Sequence, residues 1–222
     1  MTAQSHCEQP RREQPHRDRI EPLAAGDGPC WSVMIPCYNN GAHLERAMTS
    51  VLQQALPPEQ MQIEVVDDCS TEDDPEALVR AVGRGRVGFY RQPVNLGVAR
   101  NLSACIARAK GRIVHLLHAD DFVLPGFYER LGAAFQQAPE IGFAFSRYNY
   151  VDAEGMVQGV SPLEQDEAGL LGDHLRRLAS EQRICAPSIA VRRAAYERLG
   201  AFDYRLRCTE DWEMWVRIAA AY

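Results

Sequence analysis

The sequence predicts an α/β domain built on a mostly parallel sheet flanked by helices. Three observations predict it. Short β-branched strand patterns alternate with helical patterns of about 10–15 residues, the signature of βαβ units. Hydrophobic residues at 46% and charged residues at 24% match a globular chain rather than a disordered one. And 222 residues without an internal repeat fit one large domain at roughly 100–200 residues per domain.

The elements follow in order. Residues 1–29 mix arginines, acids, Gln, His and Pro without a hydrophobic period. Such a segment cannot offset the entropy of ordering, so a disordered tail is expected, with the domain over 30–222. Trp31–Ile35 is a buried-strand run closed by Pro36. Leu44, Met48, Val51, Leu52 and Ala55 recur at helical spacing before Pro57-Pro58. Met61–Val66 is a second strand, and Ser70-x-x-Asp73 resembles a capping box before a helix to about Val82. Val87–Arg91 is a third strand, and Val98, Leu102, Cys105, Ile106 and Ala109 mark a helix ended by Gly111. Ile113–Leu117 is a fourth strand, followed by a helix carrying Leu124, Phe127, Leu131, Ala134 and Phe135. Beyond Ile141 the order loosens: Gly142–Val151 is strand-like, 152–185 irregular and acidic, Ser188–Val191 a short strand. A last helix, roughly Asp211–Ala220, places Trp212, Trp215, Val216 and Ala219 on one face. It reaches Tyr222 with no Gly or Pro stop, which leaves open a domain cut short at its C-terminus.

Charge and cysteine usage exclude several functions. Twenty-four basic against thirty acidic residues give a net charge of −6, which disfavours nucleic acid and anionic membranes as partners. No apolar run approaches a membrane span, and the N-terminus lacks a secretory core. That predicts a cytoplasmic protein with no transmembrane segment and at most peripheral membrane contact. Seven cysteines without a CxxC pair point to reduced thiols.

In open α/β sheets, ligands sit beyond the carboxyl ends of the strands. There the sequence places Pro36-Cys37-Tyr38-Asn39, then Asp67-Asp68-Cys69-Ser70, then Asn95-Leu-Gly97-Val-Ala-Arg100-Asn101, then His118-Ala119-Asp120-Asp121. The resulting acidic cleft suits a divalent cation with oxygen ligands, Mg²⁺ or Mn²⁺, which in turn can hold a diphosphate. Each piece has a plain alternative. Asp67 and Asp68 serve equally as helix caps, Asp120-Asp121 as a turn before Pro125, and Arg100 as a surface side chain. Two decoys are set aside. Gly83-Arg-Gly85-Arg-Val-Gly88 spells a dinucleotide fingerprint but follows a helix and opens a strand, the reverse of what that motif requires. His115 and His118 fall on opposite faces of a strand, so a metal shared between them is disfavoured and His115 reads as a core residue.

Six segments in this order resemble the family 2 glycosyltransferases. They are Val33-Met-Ile-Pro36-Cys-Tyr38-Asn39, Val65-Val-Asp67-Asp68-Cys-Ser70-Thr, Asn95-Leu-Gly97-Val-Ala-Arg100-Asn101, Leu117-His-Ala-Asp120-Asp121, Gly200-Ala-Phe202-Asp203 and Glu210-Asp211-Trp-Glu-Met-Trp215. The resemblance covers about residues 31–220. It implies a GT-A-like, Rossmann-type mixed sheet and transfer of a sugar, with inversion, from a nucleotide-diphosphate donor, usually UDP-linked, to a carbohydrate or lipid-linked acceptor. It implies that Pro36 and Tyr38 line the base and ribose pocket and that Asp68 receives the uracil edge. Asn39, Asp67, Asn95, Gly97 and Arg100 fall in the same nucleotide-sugar motifs. Asp120 would sit near the ribose, Asp121 would hold the metal, and Asp211 matches the family's general base. On residue type alone, Glu210-Asp211 also reads as helix-start acids after Thr209. The sequence departs from the family pattern at His118, where an acid is usual, and at Cys69, where Gly is common. Two rivals are a non-catalytic sugar-nucleotide binding module and a nucleotidyltransferase. The second would carry a Gly-rich basic loop where Cys37-Tyr38-Asn39-Asn40 stands.

Overall fold

The computed structural model describes residues 16–24 and 28–222. Four parallel strands form one side of a six-stranded sheet: β1 (Trp31–Cys37), β2 (Met61–Asp67), β3 (Gly88–Arg91) and β4 (Ile113–Leu116). They are joined by helices α1 (Gly41–Leu52), α2 (Pro75–Gly83) and α3 (Val98–Arg108), and α4 (Phe127–Gln137) follows β4. The sheet order is β3-β2-β1-β4-β8-β5, with β5 spanning Phe143–Phe145 and β8 Ile189–Arg192. β8 runs antiparallel to both neighbours, so the sheet is mixed but mostly parallel. A separate two-stranded ribbon pairs β6 (Asn149–Val151) with β7 (Val157–Val160).

Residue alternation along the strands builds two cores. Val33 and Ile35 of β1, with Ile63 and Val65 of β2, pack against Leu44, Met48 and Val51 of α1 and Leu131 and Phe135 of α4. Met34, Val66, Val114 and Leu116 point the other way, onto Leu102 and Ile106 of α3. That second face is closed by α5 (His174–Ser180), α6 (Arg193–Leu199) and α7 (Glu210–Ala219). Burial on both faces is why the central strands read as continuous apolar runs rather than alternating ones. No helix among the described residues is long and apolar enough to cross a membrane.

Several expectations change. β1 continues through Pro36 to Cys37. Leu117 N–H bonds Met34 O, so the even-numbered residues of β1 turn their backbone groups toward β4. The donor missing from Pro36 therefore faces the place where β4 pairing has stopped, and no ladder bond is lost. The cap of α2 is Asp74, whose Oδ1 accepts from Ala77 N at 3.0 Å, and not Ser70, which is committed to Asp67. Gly142–Val151 splits into β5 and β6, which belong to different sheets. The fully buried face of α7 is Met214, Trp215 and Ile218, while Trp212, Val216 and Ala219 lie half-buried at its flanks. The Gly83–Gly88 stretch is a plain connection: Arg84 caps α2 in the left-handed region and β3 begins at Gly88.

The disordered tail is the main correction. The part over 1–15 and 25–27 lies outside the described residues, but residues 16–24 form a strap across the α3/α6/α7 face. Ile20 is 1% exposed and belongs to the core. His16 O and Asp18 O accept from Tyr204 N and Ala201 N, both at 2.8 Å. Arg193 joins the strap to two helices, donating to Glu21 O and to Ile106 O and Ala109 O at the end of α3. Ile106 O takes only a 3.2 Å bond from the Ala109 N–H, and Ala109 O lies past the end of the helix, so the guanidinium supplements the bonding where the helix stops. Gly200 ends α6 at φ 81, and a Cβ there would lie 3.1 Å from Asp18 O. Its motif position is thus explained twice, by backbone conformation and by the strap's approach.

Candidate active site

The strand order places β2 and β3 on one side of β1 and β4 on the other, so β1 and β4 flank a topological switch point. Beyond their carboxyl ends lie Tyr38-Asn39 and His118–Asp121. Because β8 is antiparallel, its start reaches the same edge, and the short turn Ala186–Ser188 with Cys185 before it borders the cleft.

The predicted binding residues separate into braces and exposed groups. Asp67 is a brace. Its carboxylate is fully buried, accepts from Arg91 Nε at 2.6 Å and Ser70 Oγ at 2.5 Å, and offers no surface to a ligand. In this structure it acts by holding the ends of β2 and β3 together. Asp68 is buried as well. Its two oxygens accept from Leu96 N and Gly97 N, each at 2.8 Å, and Asn95 Nδ2 reaches Asp68 O at 3.1 Å. Burial raises the Asp68 pKa, the two amide bonds lower it, and Asp67 adds repulsion. Asn39 sits at φ 47 and its Oδ1 accepts from Thr71 N and Glu72 N, tying the β1 end to the β2 end. Cys69 takes φ 64, the left-handed conformation that glycine would adopt without strain.

The exposed groups are Tyr38, at 48%, together with Asn95, Gly97, Arg100 and Asp120, while Pro36 is half-buried. Arg100 lies over the Tyr204 ring at 4.0 Å, so it faces the C-terminal half of the domain.

His118, Asp120 and Asp121 come together in one turn. Asp121 N donates to His118 O at 3.0 Å, and one ligand atom from each side chain lies within 4.8 Å of the others. His118 Nε2 is shielded from solvent with no hydrogen-bond partner. Buried polar atoms are nearly always satisfied, so an orphan nitrogen on an imidazole that clusters with two carboxylates fits a cation site. The donor set of one imidazole and two carboxylates fits a divalent ion. The Asp121 pKa is raised by burial first, with His118 opposing and Asp120 adding to the rise. His115, three residues earlier, is a core residue as expected: Nε2 bonds Pro187 O at 2.9 Å and Nδ1 meets Tyr128 OH at 3.2 Å.

Asp211 lies in the first turn of α7. Its Oδ1 accepts from Trp212 N and its Oδ2 from Gln182 Nε2, both at 2.7 Å. Its pKa is raised by burial first, with Glu210 adding, the two hydrogen bonds opposing, and the charge of His118 also felt. Cys185 has its thiol pushed up to about 11 by burial and then by Asp121, Asp211 and Asp120. Asp120, Asp121 and Asp211 therefore share one cleft around Cys185. Sequence reasoning missed Gln182 and Cys185. Both lie at the end of a stretch without period, and only the reversal of β8 brings them to the cleft.

The comparisons agree with this geometry. Residues 32–200 match the profile of glycosyl transferase family 2, and the chain belongs to that family. The succinoglycan biosynthesis protein ExoU of Rhizobium meliloti is 30% identical over 200 residues, covering 85% of this chain and 56% of that protein. Among solved structures, Staphylococcus aureus TarS 1-349 in complex with UDP-GlcNAc superimposes with a TM-score of 0.67 at 20% identity, over 85% of this chain and 52% of that one. A mannosyltransferase of Pyrobaculum calidifontis in complex with GDP-Man and Mn²⁺ gives 0.63 at 19% identity, over 93% and 56%. The chain is thus similar in fold to GT-A glycosyltransferases, and its matches span between 13% and 61% of the length of the curated relatives.

Proposed function

We propose that this chain is a metal-dependent, inverting glycosyltransferase acting in the cytoplasm. It moves a sugar from a nucleoside-diphosphate donor, UDP-linked, to a hydroxyl of a carbohydrate or lipid-linked acceptor. The carrying observation is the convergence, at the switch point of the sheet, of His118, Asp120 and Asp121 within 4.8 Å, with Asp211 close enough for its charge to interact with His118. The UDP-GlcNAc held by TarS and the Mn²⁺ held by the mannosyltransferase support the donor and cation classes.

In this reading, Pro36 and the exposed Tyr38 ring take the base and ribose, and Asp120 the ribose hydroxyls. Asp68 shapes the pocket by holding the Asn95–Gly97 loop, with the uracil edge beside it. Asn39 and Asp67 keep the β1 and β2 ends in place. Asp121, with the neighbouring ligand atoms, would hold Mg²⁺ or Mn²⁺. When bound, the cation supplies positive charge to the departing diphosphate. Without it, the acids lining the cleft would repel that group.

Asp211 acts on the acceptor side. Each carboxylate oxygen already accepts one hydrogen bond, which fixes the group, and each retains a lone pair for the acceptor O–H. Taking that proton as the hydroxyl attacks is general-base work, and a raised pKa strengthens the carboxylate as a base.

Thermal melts with a panel of nucleotide sugars, with and without Mn²⁺, test the reading. At a hundredfold excess over Kd, a donor adds about 2.7 kcal/mol, or roughly 5–10 °C for a domain of this size. A UDP-sugar is expected to give that shift only with the metal. The absence of a shift with every nucleotide sugar, or a shift indifferent to metal, would contradict it.

A further inference from the structure

We propose that His118 is itself a ligand of the cation, through a ring nitrogen, and that this nitrogen makes the site favour Mn²⁺ and later first-row ions over Mg²⁺. The inference rests on the donor-binding reading of the cleft and goes beyond it, since carboxylates alone would serve Mg²⁺ equally well.

Local structure puts the ring there. Leu117 N–H is still bonded to Met34 O, so His118 is the first residue free of the sheet. The Asp121 N to His118 O bond then closes a turn that gathers residues 118, 120 and 121. Ligands about 2.1 Å from an octahedral ion lie roughly 3 Å apart in cis and about 4.2 Å apart in trans. A spread of up to 4.8 Å closes onto one ion by small side-chain adjustments.

The unsatisfied Nε2 is the second observation. His115, on the same strand–turn segment, has both ring nitrogens satisfied. His118 Nε2 is equally hidden from solvent but has no partner. A shielded ring nitrogen left unpaired is costly, and a cation held by that nitrogen together with the neighbouring carboxylates would remove the cost.

Chemistry then sets the preference. Carboxylate and water ligands suit Mg²⁺, whereas imidazole suits later transition metals, with affinity rising from Mn²⁺ onward along the first row. A neutral imidazole also brings less negative charge than a carboxylate, so the hard, reluctantly dehydrated Mg²⁺ gains least from it. Water and the donor diphosphate would complete the shell of a bound cation.

The test is pulsed EPR on the full chain with Mn²⁺ and UDP. The expected spectrum carries nitrogen modulation from a directly bound imidazole, which changes when the histidines are ring-labelled with ¹⁵N and disappears in His118→Gln. In parallel, competition titrations in the presence of UDP should show His118→Asp retaining Mg²⁺ while its preference for Mn²⁺ over Mg²⁺ falls by about tenfold or more. Labelling keeps the first measurement interpretable in the unmodified chain even if a variant folds poorly. Mn²⁺ bound with UDP but without imidazole modulation overturns the role of His118 and leaves the donor-binding reading standing. An unchanged metal preference in His118→Asp does the same. Failure of the unmodified chain to bind Mn²⁺ with UDP overturns both.

Discussion

His115 shows how burial fixes a protonation state. Pro187 O can only accept, so the His115 Nε2 bears the proton, and Nδ1 takes the Tyr128 hydroxyl. Burial lowers the imidazole pKa to about 4. An unfolded imidazole titrates near 6.5, so between these values the unfolded chain binds more protons than the folded one. Stability is therefore present at neutral pH and is lost as pH falls from about 6.5 to about 4, by roughly 3 kcal/mol. Urea unfolding near neutral pH and at about pH 4.5 should show most of that loss, and His115→Gln should flatten it. Equal acid sensitivity in the two proteins would assign the loss elsewhere. The same logic applies to Asp211, whose raised pKa means that the basic form is lost as pH falls through a value above the ordinary carboxylate one. The acid limb of transfer should lie correspondingly high and vanish in a variant lacking the carboxylate. Cys69 takes φ 64 and His118 Nε2 lacks a partner, at two positions where the resemblance leads one to expect a different residue.

At the scale of elements, the strap of residues 16–24 changes what stabilises the second half of the domain. It threads past Gly200 and Asp203 to the foot of α7, where Arg17 approaches Asp203 and Glu213. Ile20 is its buried anchor, and truncating a buried Ile to Ala costs about 2–5 kcal/mol. For a domain of this size that is roughly 4 °C or more of melting temperature, and removal of residues 1–24 should lower it further. A melting temperature unchanged in Ile20→Ala would show that the strap is only laid on the surface. Nothing in the composition announced this element. One isoleucine in a polar stretch gives no period, and its partners lie more than 170 residues away. Helices α5 and α6 were equally silent, being seven residues each, under two turns, with few apolar positions to repeat. By contrast, α1, α3 and α4 are long and amphipathic, and their cores were legible. The direction of β8 was not, because a four-residue run carries no sign of its orientation.

At the scale of the molecule, the alternation of elements made the parallel half of the sheet readable, and with it the edge where ligands gather. Motif residues were correctly located at that edge. Their division of labour was not legible, because Asp67 and Tyr38 differ in burial and not in motif membership. What crosses from the second half of the chain, Gln182 and Cys185, became visible only once β8 turned back. The central claim is that this edge holds a nucleotide sugar while Asp211 takes the acceptor proton from the opposite side. The measurement that tests it most directly is turnover of a UDP-sugar with Mn²⁺ by the unmodified chain and by Asp211→Asn, with UDP affinity measured in both. A positioned general base is worth about 10²–10⁴-fold, so turnover should fall by that order while UDP affinity stays nearly constant. Near-normal turnover in the variant would make Asp211 a helix-start acid only. A collapse of UDP binding with it would place the residue on the donor side and contradict the account.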